Sequence, residues 1–147
     1  MDRIKNFISV AAGAVGSAIA YLFGGWNSAM LTLCIFMGVD YLSGLVVAGV
    51  FHKSRKSDGG ALDSKAGFKG LFKKAFILLV ILLAYRLDLL IGSQYIKDMA
   101  CIAYIVNETL SIIENLGLMG VPVPNVIKKA IDQLNKEKKT DGGDKNE

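Results

Sequence analysis

Four long apolar runs, parted by turns and charged loops, set the pattern of this chain. The run over residues 28–51, SAMLTLCIFMGVDYLSGLVVAGVF, is long enough to cross a bilayer, which takes about 20 mostly apolar residues. An earlier run covers 7–23 and a later one 75–92. The fourth, 97–115, reaches spanning length only by counting Lys97 and Asp98, whose polar ends can snorkel. An amphipathic helix lying on the membrane surface is the rival reading of that run.

The segments between the runs are turns, a loop and a connector. Gly24-Gly25-Trp26-Asn27 is a tight turn, with Trp26 suited to a membrane interface. Residues 52–74 form a basic polar loop broken at Gly59-Gly60. Its part after Asp63 is expected as a short helix on the membrane surface, with Phe68, Leu71 and Phe72 toward lipid. Pro122 and Pro124 make a stiff extended connector. From Asn125 a stripe of Val126, Ile127, Ala130, Ile131 and Leu134 predicts an amphipathic helix over 125–134. The charged end, 135–147, is expected to be a disordered tail. The pattern as a whole predicts an all-α membrane protein. It is a small helical bundle with about four transmembrane helices plus amphipathic cytoplasmic segments, in one domain over 1–134.

Composition agrees: apolar residues make up 52% of the 147, and the mean hydropathy of +0.42 is high for a soluble domain. The net charge of +4 raises nucleic acid as a partner. The pattern excludes it, because the Lys and Arg residues flank apolar spans, where topology and anionic lipid account for them. With four spans, two basic residues before the first span, seven in the loop and six after the fourth share one side, 15 of 17. Basic residues collect on the cytoplasmic side, so both termini are expected there. Three spans remain the alternative, since the start imitates a signal peptide with Ala18-Ile19-Ala20 as a cleavage site.

Charge inside the spans is the candidate chemistry. Asp40 lies near the middle of the second run, and Arg86 and Asp88 lie in the third. An ionisable side chain at bilayer depth is costly and faces protein or water. Counting about 1.5 Å per residue from the cytoplasmic boundaries puts Asp40 and Arg86 each roughly 16 Å deep, and Glu108 about 12 Å deep. A midplane polar cluster of Asp40, Arg86, Asp88, Asn107 and Glu108 is therefore expected, either as an ion pair holding the bundle or as the lining of a hydrated lesion. Small residues supply candidate helix-packing faces. Ala12, Gly16, Ala20 and Gly24 recur every four residues, and Gly44 and Ala48 share a face with Asp40. Cys34 and Cys101 have no metal-ligand spacing and read as packing residues. No P-loop, dinucleotide glycine pattern or nucleophile elbow occurs, so no catalytic residue, cofactor or metal is expected.

Several stretches together resemble a known family. They are Gly38-Val39-Asp40-Tyr41-Leu42-Ser43-Gly44, the loop segment Asp63-Ser64-Lys65-Ala66-Gly67-Phe68-Lys69-Gly70, Asp88, and Asn107-Glu108-Thr109-Leu110-Ser111-Ile112-Ile113-Glu114-Asn115 followed by Gly120-Val121-Pro122-Val123-Pro124. This order of motifs resembles the phage-lysis and toxin-secretion holins of bacteria with Gram-positive envelopes and their phages. The family-motif positions are Asp40, Tyr41, Gly44, Ser64, Lys65, Gly67, Asn107, Glu108, Ser111, Glu114, Asn115, Gly120, Pro122 and Pro124. Asp63 stands where the family often has the first of two serines.

The resemblance implies a multi-pass protein of the bacterial (host) cytoplasmic membrane. It would assemble with itself in the lipid bilayer and permeabilise the membrane at a set time. An endolysin, or a secreted toxin, would then leave, and host cell lysis would follow. Two other classes compete: a small ion channel or transporter subunit, with selective non-lethal flux, and a membrane adaptor that changes no permeability.

Overall fold

The computed structural model describes residues 1–142. Among them are five α-helices and no strand: α1 (Asp2–Leu22), α2 (Ser28–Gly49), α3 (Ser64–Ile91), α4 (Ile96–Leu118) and α5 (Asn125–Gly142). The helix ends follow from capping chemistry. Asn27 opens α2 by accepting a hydrogen bond from the Met30 amide at 2.9 Å, and Asp63 opens α3 by accepting one from the Lys65 amide at 2.9 Å. Each satisfies a donor that the first helical turn leaves free. Gly92 ends α3 with a φ of 77°, a left-handed conformation that glycine adopts without steric cost. Gly120, φ 78°, follows α4, where the Val121 amide returns to the Leu116 carbonyl at 2.9 Å.

Two elements differ from the pattern read along the sequence. The surface helix expected after Asp63 and the apolar run from Ala75 are one continuous rod of 28 residues. Lysine is a good helix former, so Lys65, Lys69, Lys73 and Lys74 mark a change of surroundings along α3 and not its beginning. The last helix also continues past residue 134 to Gly142, so the segment expected as a disordered tail is helical in its first part. Residues 143–147 lie outside the described residues.

Contacts fix the directions of the three central helices. Asn27, at the start of α2, bonds Asp98 in the first turn of α4. Asp40 and Ser43, later in α2, bond Asn115 in the last turn of α4. The two helices therefore run parallel. Lys74 of α3 meets Asp40, while Tyr85, further along α3, lies against Gly24 before α2 begins. So α3 runs antiparallel to both. The shared apolar core is Met30, Leu33 and Met37 from α2, Ile77 and Ile81 from α3, and Cys101 and Ile105 from α4. Both cysteines are free thiols, Cys101 buried and Cys34 half-buried. The helix α5 turns back toward α4 and buries Ile131.

The first helix stands apart. None of its residues is buried, so within one chain the Ala12, Gly16 and Ala20 face has no helix against it, and Gly16 has open space around it. By length and composition α1 and α2 are long and apolar enough to cross a membrane. Four spans do not follow from that measure alone, because α3 holds Lys74, Arg86 and Asp88 within residues 74–91 and α4 holds Lys97, Asp98, Glu108 and Glu114.

Candidate functional site: a charged cluster between three helices

One ammonium group joins two carboxylates where α2, α3 and α4 meet. The Lys74 Nζ lies 2.8 Å from Asp40 Oδ2 and 2.5 Å from Glu108 Oε2. All three side chains are largely out of solvent, 12% exposed for Lys74, 7% for Asp40 and 9% for Glu108. Two negative charges against one positive leave the cluster one unit negative. Asn115 adds a further donor on the Asp40 side. That amide Nδ2 donates to Ser43 Oγ at 2.8 Å, to the Asp40 backbone carbonyl at 3.3 Å and, more weakly, to Asp40 Oδ1 at 3.4 Å. Among the described residues, every buried side-chain nitrogen and oxygen has a hydrogen-bond partner. Such a cluster is held by mutual compensation: removing one member leaves a buried charge unpaired, the expensive case.

Small residues line the seams between these helices. An added Cβ at Gly44 would sit 3.8 Å from the Asn115 amide, and one at Gly67 would sit 3.6 Å from the Tyr41 hydroxyl. Ala48, on the same face as Asp40 and Gly44, is buried.

A second polar node closes the opposite end of the bundle. The Asp88 carboxylate accepts from Ser93 Oγ at 2.5 Å, the Ile96 amide at 3.0 Å and the Lys97 amide at 2.8 Å. It thereby supplies the N-terminal cap that α4 does not get from Tyr95, the residue preceding it. The buried Lys97 ammonium donates to the Phe23 and Gly25 carbonyls and lies 5.5 Å from the Tyr85 ring centre. A cation there meets the partial negative charge at the end of α1. Gly24, with φ 71°, lies tight against the Tyr85 ring. A Cβ at Gly24 would strike that ring, so this glycine of the predicted packing face serves the turn instead.

The expected midplane cluster is therefore divided by the structure. Asp40 and Glu108 come together, but Arg86 is exposed and Asp88 belongs to the far node. Asn107 is also exposed. The reason is register. Aligning α3 by the start of its apolar run set Arg86 level with Asp40, whereas the observed partner is Lys74, twelve residues or roughly 18 Å nearer the start of the helix. Arg86 instead lies near the Gly92 end, within reach of an aqueous boundary. Arg86→Gln is accordingly expected to shift stability by less than about 0.5 kcal/mol, read from thermal unfolding of the purified protein in detergent. A loss comparable to that from removing a buried charge would contradict this placement.

Lys74, Ser43 and Lys97 are the participants that the sequence reading missed. Two signals for Lys74 were present: Asp63 as a helix cap, and a lysine directly before an apolar run. The remaining motif residues lie around the cluster or beyond it. Ser111 lines the α3–α4 groove with Glu108, Glu114 is exposed, and Ser64 and Lys65 form the first turn of α3. Pro122 lies in the connector, and Pro124 supplies a carbonyl to the Ile127 amide at 3.1 Å. Among the described residues no group of His, Cys, Asp and Glu is arranged to hold a metal ion.

The family model for the bacteriophage holin family matches residues 17–136. This chain belongs to the bacteriophage holin family. Both polar nodes of this holin-family chain fall inside the match, while most of α1 precedes it. It is similar to an uncharacterised 14.9 kDa protein from the nagH 3′ region of Clostridium perfringens, 36% identical over 140 residues covering 94% of this chain and all of that one. It is also 38% identical to Lmo0128 of Listeria monocytogenes over 132 residues, 89% and 86% of the two chains. A third relative is YqxH of Bacillus subtilis, 30% identical over 94% of this chain and 91% of that one. No solved structure matches. Family membership and two apolar helices of spanning length together point to a membrane protein.

Proposed function

We propose that this protein acts as a holin. It inserts with four spans, α1 to α4, with both termini and the 52–63 loop on the cytoplasmic side, assembles with itself, and permeabilises the bacterial cytoplasmic membrane at a set time. An endolysin or a secreted toxin then leaves, and the host cell lyses. One observation carries the reading: the bundle is inverted relative to a soluble protein. Asp40, Asp88, Lys97 and Glu108 are 5–7% exposed, while Leu79, Leu83, Leu87 and Leu90 of α3 are 46–81% exposed. An apolar outer surface of this extent suits lipid, and charged groups kept inside suit a membrane bundle.

The inversion also suggests how one chain could be both silent and lytic. In the closed bundle the Asp40–Lys74–Glu108 cluster is satisfied internally. If the helices separate, these groups require water, so the same residues that close the monomer favour a hydrated lining in an assembly. No bond is made or broken in this process, and no catalytic step is assigned.

The test is inducible expression in a bacterium, with membrane potential and release of a co-expressed cytoplasmic endolysin followed together. Abrupt collapse after a delay, with lysis only when the endolysin is present, is the expected result. Graded ion flux without protein release would replace the holin reading with the channel one. Unchanged permeability would leave the adaptor.

A further inference from the structure

A groove of about 800 Å³ opens between α3 and α4 beside the charged cluster. Its two ends differ in chemistry. At one end lie Arg55 and Lys56 of the loop with Lys69 and Lys73 of α3. Lys69 and Lys73 are four residues apart and share a face of the helix. Among the described residues none of these four cations has an acidic partner within ion-pair distance. Further along, the groove is walled by Phe76, Ile77 and Val80 of α3 and Tyr104 of α4. Phe76 lies three residues beyond Lys73, and Val80 four beyond Phe76, so cation and apolar wall form one stripe down α3. From Lys69 to Val80 the stripe is about 16 Å long.

We propose that this groove binds one anionic phospholipid, its phosphate among Lys69, Lys73 and the loop cations and one acyl chain along Phe76, Val80 and Tyr104. Charge complementarity identifies the occupant's head. The acidic residues of the groove, Asp40 and Glu108, are bridged by Lys74 and leave one negative unit, so against the four further cations Arg55, Lys56, Lys69 and Lys73 the groove keeps a net positive end. The apolar wall identifies the rest. A free phosphate or a soluble anion has nothing to place against Phe76 and Val80, whereas a lipid fills both halves. A zwitterionic lipid would bring its own cation into the positive end. Basic pockets on the cytoplasmic side between membrane helices recognise anionic head groups by this combination. The site rests on the membrane-inserted reading above, with the α3 lysines at the cytoplasmic boundary.

The experiment uses the full chain, first checked for resistance to carbonate extraction from membranes. Loss of that resistance would overturn the membrane reading itself. The inserted protein is then purified in mild detergent, incubated with equal amounts of phosphatidylglycerol and phosphatidylcholine, and examined by native mass spectrometry. One phosphatidylglycerol per chain is expected to be retained in preference to phosphatidylcholine. K69Q/K73Q is expected to lower that retention at least ten-fold, and K53Q/K128Q, which removes the same charge elsewhere, to leave it within two-fold. An equal fall in both double variants, or no preference between the two lipids, would overturn the site. Glycerophosphoglycerol, the head group without chains, is expected to compete at least 100-fold more weakly than the lipid. Competition on a par would make the occupant a soluble phosphate and overturn the lipid. Cross-linking of N107C chains to one another across the groove would put a second copy there and overturn it as well.

Discussion

Lys74→Met is expected to be among the most damaging single substitutions in this chain. The apolar stem is kept, so packing changes little. The lost ammonium leaves Asp40 and Glu108 facing each other with no cation between them. Breaking a buried ion pair from one side costs about 3–5 kcal/mol, and two like charges in one site add to the penalty. Thermal unfolding of the purified protein in detergent should show this loss, and permeabilisation in cells should begin earlier at equal protein level. The control is the triple variant K74M/D40N/E108Q, which removes all three charges. It should regain most of the stability, because an uncharged polar cluster has no unpaired ion. If K74M alone were as stable as the unmodified chain, the cluster would not be holding the three helices together. If the triple variant were no better than K74M, the loss would come from packing and not from charge.

Asp88→Ala is expected to have the second large effect, at the other end of the bundle. It strips the acceptor from Ser93 Oγ and from the Ile96 and Lys97 amides. Each buried donor left without a partner costs about 1–3 kcal/mol, so a total near 3 kcal/mol is reasonable after water reaches the turn. Asp88→Asn keeps one acceptor oxygen and should lose less than half as much. Hydrogen exchange localises the effect: the Ile96 and Lys97 amides should lose protection in D88A while amides in the middle of α2 keep it. Uniform loss along all helices would mean that Asp88 supports the whole bundle and is not a local cap.

The all-helical class was legible because apolar run lengths and turn residues are one-dimensional information. Asn27 and Gly92 mark ends of helices by rules that need no partner. The start of α3 was harder. Its first eleven residues contain four lysines, and the change from basic to apolar composition reads as a boundary between a surface helix and a span, although the backbone of a lysine is as content in a helix as that of a leucine. The one-residue signal that decided the matter was the Asp63 cap. That choice of starting point then propagated. With α3 begun at the apolar boundary, Arg86 was set opposite Asp40. With the helix in its observed register, Lys74 is there. Depth counting brought Asp40 and Glu108 to one level because both sit on helices that run in the same direction. Asp88 is expected in the same cluster because it lies in the third apolar run, yet its role depends on a turn of four residues, 92–95, that folds three donors onto it. Such a role is set by three-dimensional closure and leaves no periodic trace. The loop carbonyls that bind Lys97 are equally invisible in sequence, since every residue has one.

The isolation of α1 has a consequence for how such a chain can diversify. No residue of α1 is buried, its end is tied to the body through backbone carbonyls at Phe23 and Gly25, and the family match begins only at residue 17. Backbone ties are indifferent to which side chains the helix carries. Selection can therefore rewrite the outward surface of α1 residue by residue while the three-helix body keeps its fold. If α1 meets its neighbours in the self-assembly proposed above, the tempo of that assembly is set by the segment least constrained by folding and is adjustable without redesign of the three-helix body.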